Sequence, residues 1–195
     1  MKILAIGTSN NRNSINRTLA HYAASLVDGA EVEVLDIHDY EMPLFSDERE
    51  RHFGQPLQAR KFFEKIGAAD ALVIAFAEHN GSYTAAYKNL FDWASRIDGK
   101  VFQNKPAVYL STSPGPGGAR SVLAAALESA PFFGAEVVDS LSVPKFHEVF
   151  DVKQGLMQDE ITAKRLRLVM AKLAERLRED GWVEHAAHTS GYPFK

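Results

Sequence analysis

The sequence predicts an α/β domain in three layers, a five-stranded parallel sheet of order 2-1-3-4-5 with helices on both faces. Three observations carry this. Short aliphatic runs recur at Ile3–Ile6, Val32–Leu35, Ala71–Phe76, Ala107–Leu110 and Val137–Val143, and most are near-continuously apolar, as strands covered on both faces are. Segments with apolar residues at helical spacing lie between them. A parallel connection needs a crossover long enough to hold a helix, and that crossover is almost always right-handed, so the alternation fixes the class.

Taken in order, the first strand leads into a helix carrying Leu19, Tyr22, Ala23 and Leu26. Phe62, Phe63 and Ile66 mark a shorter second helix before the third strand. Tyr87, Leu90, Phe91 and Ala94 mark the next, and Leu123, Ala126, Leu127 and Ala130 the one after the fourth strand. The last helix carries Leu166, Val169, Met170, Leu173 and Leu177, with Glu175, Arg176, Arg178 and Glu179 on its solvated face. Residues 1–180 make one domain and 181–195 a C-terminal tail without periodicity, in which His185 and His188 have helical spacing but neither a helix signal nor a third metal ligand. Ile37 to Pro56 exceeds a routine connection. Its Met42, Leu44, Phe45 and Phe53 read as a subunit interface or as an ordinary surface loop.

Composition narrows the chemistry. The 195 residues suit a single core, and hydrophobic (46%) and charged (24%) shares near the average argue against disorder and repeats. With no cysteine, disulfides, thiolate nucleophiles and Cys-based metal or cluster sites are excluded, so redox chemistry requires a bound cofactor. A net charge of −3 supplies no basic field for nucleic acid or anionic membranes. The longest apolar run, Ala71 to Ala77, is far short of the roughly 20 residues of a membrane span, and Met1–Ile6 meets Gly7 at once, unlike a signal peptide. A cytoplasmic protein acting on a small molecule is the expectation.

In open sheets of this kind ligands bind beyond the carboxyl ends of the strands. The loop after the first strand, Gly7 to Asn16, is rich in hydroxyl and amide side chains and has no carboxylate. It enters a helix whose N-terminal N–H groups and partial positive charge favour a phosphate, which points to Ser9, Asn11, Arg12, Ser14, Ile15 and Asn16; simple capping by Ser14 or Asn16 is the alternative. No Walker Gly-Lys-Ser/Thr and no Gly-x-Gly-x-x-Gly occurs here, so a monophosphate matches better than a dinucleotide. The loop after the third strand, Ala77 to Tyr83, offers Glu78, His79, Asn80 and Gly81 to a planar ligand. The loop after the fourth, Ser113-Pro114-Gly115-Pro116-Gly117-Gly118, lets main chain pass close to a ring edge.

Together these motifs resemble the NADPH-dependent FMN reductase family, a flavodoxin-like group that includes quinone, azo-dye and chromate reductases, over about Met1 to Asp180. Ser9, Ser14 and Asn16 match the family's phosphate-binding Ser, Ser and Asn, while Asn11 stands at its Arg and Arg12 is next door. Glu78 and Asn80 match the Glu and Asn beside the flavin ring, and Lys88, Asn89, Asp92 and Trp93 match the helix that follows. Ala77, His79 and Thr84-Ala85 replace the usual Pro, Tyr and Pro-Gly. Ser113 to Gly118 resembles the loop around the flavin pyrimidine edge. The resemblance implies non-covalent FMN, NADPH or NADH as co-substrate, a small electron acceptor such as a quinone, a homodimer or homotetramer, and no catalytic acid or base from the protein. The alternative is a flavodoxin-type electron carrier docking to protein partners, although such carriers are usually far more acidic than −3.

Overall fold

The computed structural model describes the backbone of residues 1–189 and the side chains of 1–179. The sheet is β1 (Lys2–Gly7), β2 (Glu31–Asp36), β3 (Ala71–Phe76), β6 (Lys105–Thr112) and β7 (Ala135–Val143), parallel throughout in the order β2-β1-β3-β6-β7. That is 2-1-3-4-5 in sheet terms, the flavodoxin-like order expected. Two short hairpins stand apart, β4 (Glu78–His79) with β5 (Ser82–Tyr83) and, after the one-turn α6 (Phe146–Val149), β8 (Phe150–Asp151) with β9 (Leu156–Met157).

Burial explains the strand readings. Every residue of the central β3 is buried, which accounts for Ala-Leu-Val-Ile-Ala-Phe without a polar member. The edge strand β2 mixes Glu31, Glu33 and Asp36 with Val32, Val34 and Leu35, and only Leu35 is buried, because only part of the strand faces a helix layer. α1 (Ile15–Ala24) and α7 (Glu160–Thr189) cover one face, where Leu19, Ala23, Leu166 and Leu173 meet Ile3, Val73 and Leu110. α3 (Leu57–Gly67), α4 (Ala85–Ala94) and α5 (Arg120–Ser129) cover the other, where Phe62, Leu90 and Val122 meet Ile6, Ile74 and Tyr109.

Two segments differ from the sequence reading. The excursion over 37–56 holds a 3₁₀ turn (Ile37–Tyr40) and α2 (Asp47–Phe53), begun by Ser46, whose Oγ accepts from Arg49 N at 3.2 Å. Its middle lies against α4. Asn89 accepts from Phe45 N at 2.8 Å and donates to Pro43 O at 3.2 Å, Trp93 Nε1 donates to the same carbonyl at 2.8 Å, and the Phe45 ring meets Trp93 edge-on. Intrachain packing thus absorbs Phe45, while Leu44 and Phe53 stay 69% and 84% exposed. The second difference is at the end of the chain, where α7 continues to Thr189, past the expected boundary at 180. The side chains of His185 and His188, and residues 190–195, lie outside the described residues.

Candidate active site

Gly7 closes β1 where the first turn of α1 crosses the sheet. An added Cβ there would stand 2.3 Å from the Arg17 backbone nitrogen, so only glycine lets this helix start so close to the strand. Ser14 caps the helix, its Oγ accepting from Arg17 N at 3.1 Å. That bond uses the hydroxyl as an acceptor and leaves its donor capacity unspent. Ser9 does the same for the preceding turn, accepting from Asn11 N at 3.2 Å. The N–H groups of Ile15 and Asn16 belong to the first turn, where no helical acceptor exists. Arg17 bonds to Asp36 and to the Arg12 carbonyl, and His38 Nδ1 lies 3.1 Å from Asn10 O, so the loop is held from outside while Asn11 and Arg12 stay exposed.

Side chains from each loop tie it to its neighbours. Thr8, fully buried, accepts from Ala77 N at 2.8 Å, and Thr84 donates to Thr8 O at 2.5 Å while capping α4 by accepting from Tyr87 N at 3.2 Å. Asn16 donates to Thr112 O at 3.1 Å and accepts from Thr112 N at 3.0 Å, a two-bond clasp between the first and third loops. Glu78 Oε2 accepts from Val122 N at 2.9 Å, satisfying the start of α5, whose own N-cap Ala119 offers no side-chain acceptor. The result is a closed triangle: first loop to second through Thr8 and Thr84, first to third through Asn16, second to third through Glu78.

The structure brings these positions together at one end of the sheet, and two of the side chains have partners the sequence did not indicate. The side chains of Asn16 and Glu78 are engaged with main chain, which makes them positioning groups. Asn80 and Gly81 have φ of +53° and +78°, the two-residue turn of the β4–β5 hairpin, and the Asn-Gly pair is the sequence signal that marks it. His79 is exposed at that hairpin.

The third loop is built from within. Ser111 and Ser142 hydroxyls both donate to Gly118 O, at 2.6 and 2.8 Å, and Ser113 donates to Gly115 O at 3.1 Å. Gly118 (φ +61°) and Ala119 (φ +56°) turn the chain in left-handed geometry, and a Cβ on Gly118 would come 2.3 Å from Ser142 Oγ. Gly115 and Gly117 differ: neither has positive φ and an added Cβ would meet no atom within 4 Å. The chain's own packing does not call for glycine at either position. Pro114, between them and Ser113, is exposed.

Thr8 and Thr112 were not singled out from sequence, and Thr84 only as a departure from the family's Pro-Gly, although a Thr immediately before a helical run is a readable cap signal. Buried Thr8 carries no such mark.

Residues 1–148 match the NADPH-dependent FMN reductase family. An NADPH:quinone oxidoreductase of Arabidopsis thaliana is 30% identical over 181 residues, covering 89% of this chain and 90% of that protein. The NADH-dependent flavin reductase subunit 2 of Lactobacillus johnsonii is 33% identical over 181 residues, covering 86% and 92%. Among solved structures, the flavoenzyme NAD(P)H:(acceptor) oxidoreductase FerB of Paracoccus denitrificans superposes with a TM-score of 0.75 at 26% identity, covering 91% of this chain and 97% of that one. With the strand order, the three loops tied together at one end of the sheet and matches that span most of its length, the chain belongs to the NADPH-dependent FMN reductase family.

Proposed function

We propose that the three loops hold FMN, with its phosphate at the start of α1 and its ring between the second and third loops, and that the protein is an NAD(P)H-dependent reductase of quinones, flavins or similar small acceptors. The observation that carries this reading is the donor set of the first loop. Two serine hydroxyl protons and the N–H groups of Ile15 and Asn16 meet at a helix N-terminus with no carboxylate in the loop, which suits a phosphate dianion. Arg12, exposed beside it, adds a cation in place of the family's neighbouring arginine. Gly115 and Gly117 fit the same ligand, because removing their Cβ atoms opens main chain to a flat ring edge without serving the fold.

When bound, FMN supplies the two-electron chemistry between reduced nicotinamide and acceptor. The chain's own residues bind and orient. Ser9, Ser14 and the α1 N-terminus fix the phosphate end; Asn16, Glu78, Thr8 and Thr84 hold the loops at fixed separation; the 113–118 main chain presents N–H groups to ring carbonyls, where they favour negative charge. His79 and Asn80, on the exposed hairpin, border the approach of nicotinamide and acceptor. The assembly inferred is a homodimer or homotetramer, supported by Leu44, Phe53 and Leu57, which expose 61–84% of their surface within one segment.

The test is to titrate the purified protein with FMN, follow the visible spectrum, and mix anaerobically with NADPH or NADH. Bleaching by either nicotinamide and recovery with a quinone is the expected result. Flavin that binds but resists both nicotinamides would turn the reading to an electron carrier, and no flavin binding would remove it.

A further inference from the structure

Three side chains tie the first loop to the end of β2. Asp36 closes that strand, and its carboxylate divides between two partners. One oxygen accepts from His38 N at 3.1 Å, which starts the 3₁₀ turn, and the other accepts from the Arg17 guanidinium. Arg17 reaches back with its second nitrogen to donate to Arg12 O. The His38 ring completes the set, with Nδ1 3.1 Å from Asn10 O; a carbonyl oxygen only accepts, so this nitrogen carries the proton. His38 belongs to the 37–56 excursion, so a segment outside the three loops takes part in shaping the first.

The grip reaches the serine hydroxyl through the backbone. A trans peptide is planar, so the C=O of one residue and the N–H of the next point in opposite directions, and the chain has no cis bond. Fixing Asn10 O against His38 therefore fixes the direction of Asn11 N–H, which donates to Ser9 Oγ at 3.2 Å. Fixing Arg12 O against Arg17 fixes Asn13 N–H, which donates to the Asn11 side-chain carbonyl at 2.9 Å. Between these two planes Asn11 O accepts from Ser14 N at 3.0 Å. Three successive carbonyls are thus engaged within the chain. That matters for an anion: a carbonyl oxygen free to swing toward a phosphate would repel it.

We propose that Asp36, Arg17 and His38 are positioning residues that set the preference for a phosphorylated flavin, by holding Ser9 and the main chain of 10–13 in the arrangement that presents donors to the phosphate. The inference rests on the flavin reading above, since it concerns the phosphate end of that ligand. Its consequence is selective. Riboflavin has the same ring and ribityl chain without the phosphate, so loosening the clamp weakens FMN and leaves riboflavin alone. Asp36 supplies the sign that separates positioning from simple charge. It is an acid beside an anion site, so on Coulomb's law alone its removal would tighten phosphate binding; as the anchor of Arg17 and His38, its removal weakens it.

The experiment is titration of the purified protein with FMN and with riboflavin, followed by flavin fluorescence, for the parent, His38→Ala, His38→Asn and Asp36→Ala, each with a thermal melt to establish folding. The parent should bind FMN more tightly than riboflavin. His38→Ala should lower FMN affinity on the order of five- to tenfold, as expected for one hydrogen bond, with riboflavin within about twofold of the parent. His38→Asn places an amide N–H where Nδ1 stands and should restore most of the loss. Asp36→Ala releases both other members and should lose at least as much as His38→Ala. Unchanged FMN affinity in His38→Ala, riboflavin falling in step with FMN, no recovery with asparagine, or tighter FMN binding by Asp36→Ala would each overturn the clamp, while a parent that prefers FMN leaves the flavin reading standing. A parent that binds neither flavin, or binds FMN no better than riboflavin, would overturn the phosphate placement and the clamp with it. Should Asp36→Ala not fold, the two His38 variants decide, since that side chain is 33% exposed and its removal leaves the core intact.

Discussion

Replacing Asn16 by alanine tests the claim that its side chain positions loops rather than grips the ligand. Asn16 is 4% exposed and Thr112 1%, and the two bonds between them, at 3.1 and 3.0 Å, satisfy both the carbonyl and the N–H of Thr112. Alanine leaves both groups without that partner. A buried main-chain group left unpaired costs about 1–3 kcal/mol, so two cost about 2–6, and entry of water beside the exposed loop brings the expectation to about 3 kcal/mol. In a domain of this size each kcal/mol moves the melting temperature by about 2–4 °C, so the loss should be about 6–12 °C. Urea unfolding and thermal melts measure the stability, and FMN titration on the same samples measures the site. Stability and flavin affinity should fall together, because the clasp sets the distance between the first and third loops. Asn16→Asp keeps the bond from Thr112 N but turns a carboxylate oxygen on Thr112 O and brings charge to a phosphate site, so it should lower flavin affinity further. Unchanged stability with collapsed flavin affinity would show that Asn16 is a direct ligand, and no change in either would refute the clasp.

Other expectations follow from single contacts. Gly7→Ala drives a Cβ into the Arg17 backbone at 2.3 Å, and because neither strand nor helix can yield cheaply the protein should lose 3 kcal/mol or about that by chemical denaturation, at the upper end for overpacking. Gly117→Ala meets no atom of the chain, so the melt should stay within about 0.5 kcal/mol of the parent while FMN affinity falls; a melt that drops instead would assign this glycine to the fold. Ser14→Ala removes a helix cap worth about 1 kcal/mol and one phosphate donor, so the loss of stability should be larger with FMN bound than without it. Glu33 is held below its ordinary 4.5 by the hydrogen bond from Lys2 first and that from Lys65 second. Folding therefore favours its ionised form, and the stabilisation is complete above pH 4.5 and fades as pH falls through the lower folded value. Glu33→Gln should remove up to about 1 kcal/mol near neutral pH and nothing in strong acid, as pH-dependent urea titrations would show.

Periodicity by itself determined the fold and the end of the sheet where the three unusual loops gather. An all-apolar run at Ala71–Phe76 has no stable place except between two layers, and the helical stripes between such runs leave a parallel sheet as the way to bury them. The polar loop at 7–16 and the glycines at 115–118 were legible for the same reason: their composition is unusual wherever the chain goes. What only the tertiary structure decided is which of those side chains are already engaged within the chain. The Asn16 side chain reads as a free polar group until Thr112, 96 positions away, is seen taking both ends of its amide, and the Glu78 carboxylate reads so until Val122 is seen using it as a cap. The excursion at 37–56 looks unpartnered until Asn89 and Trp93 are found holding Pro43 and Phe45. A hydrogen-bond acceptor carries no mark of which distant donor it will meet. Local spacing encodes which face is buried, whereas the partner of a polar side chain is set by the crossing of segments that the sheet brings together.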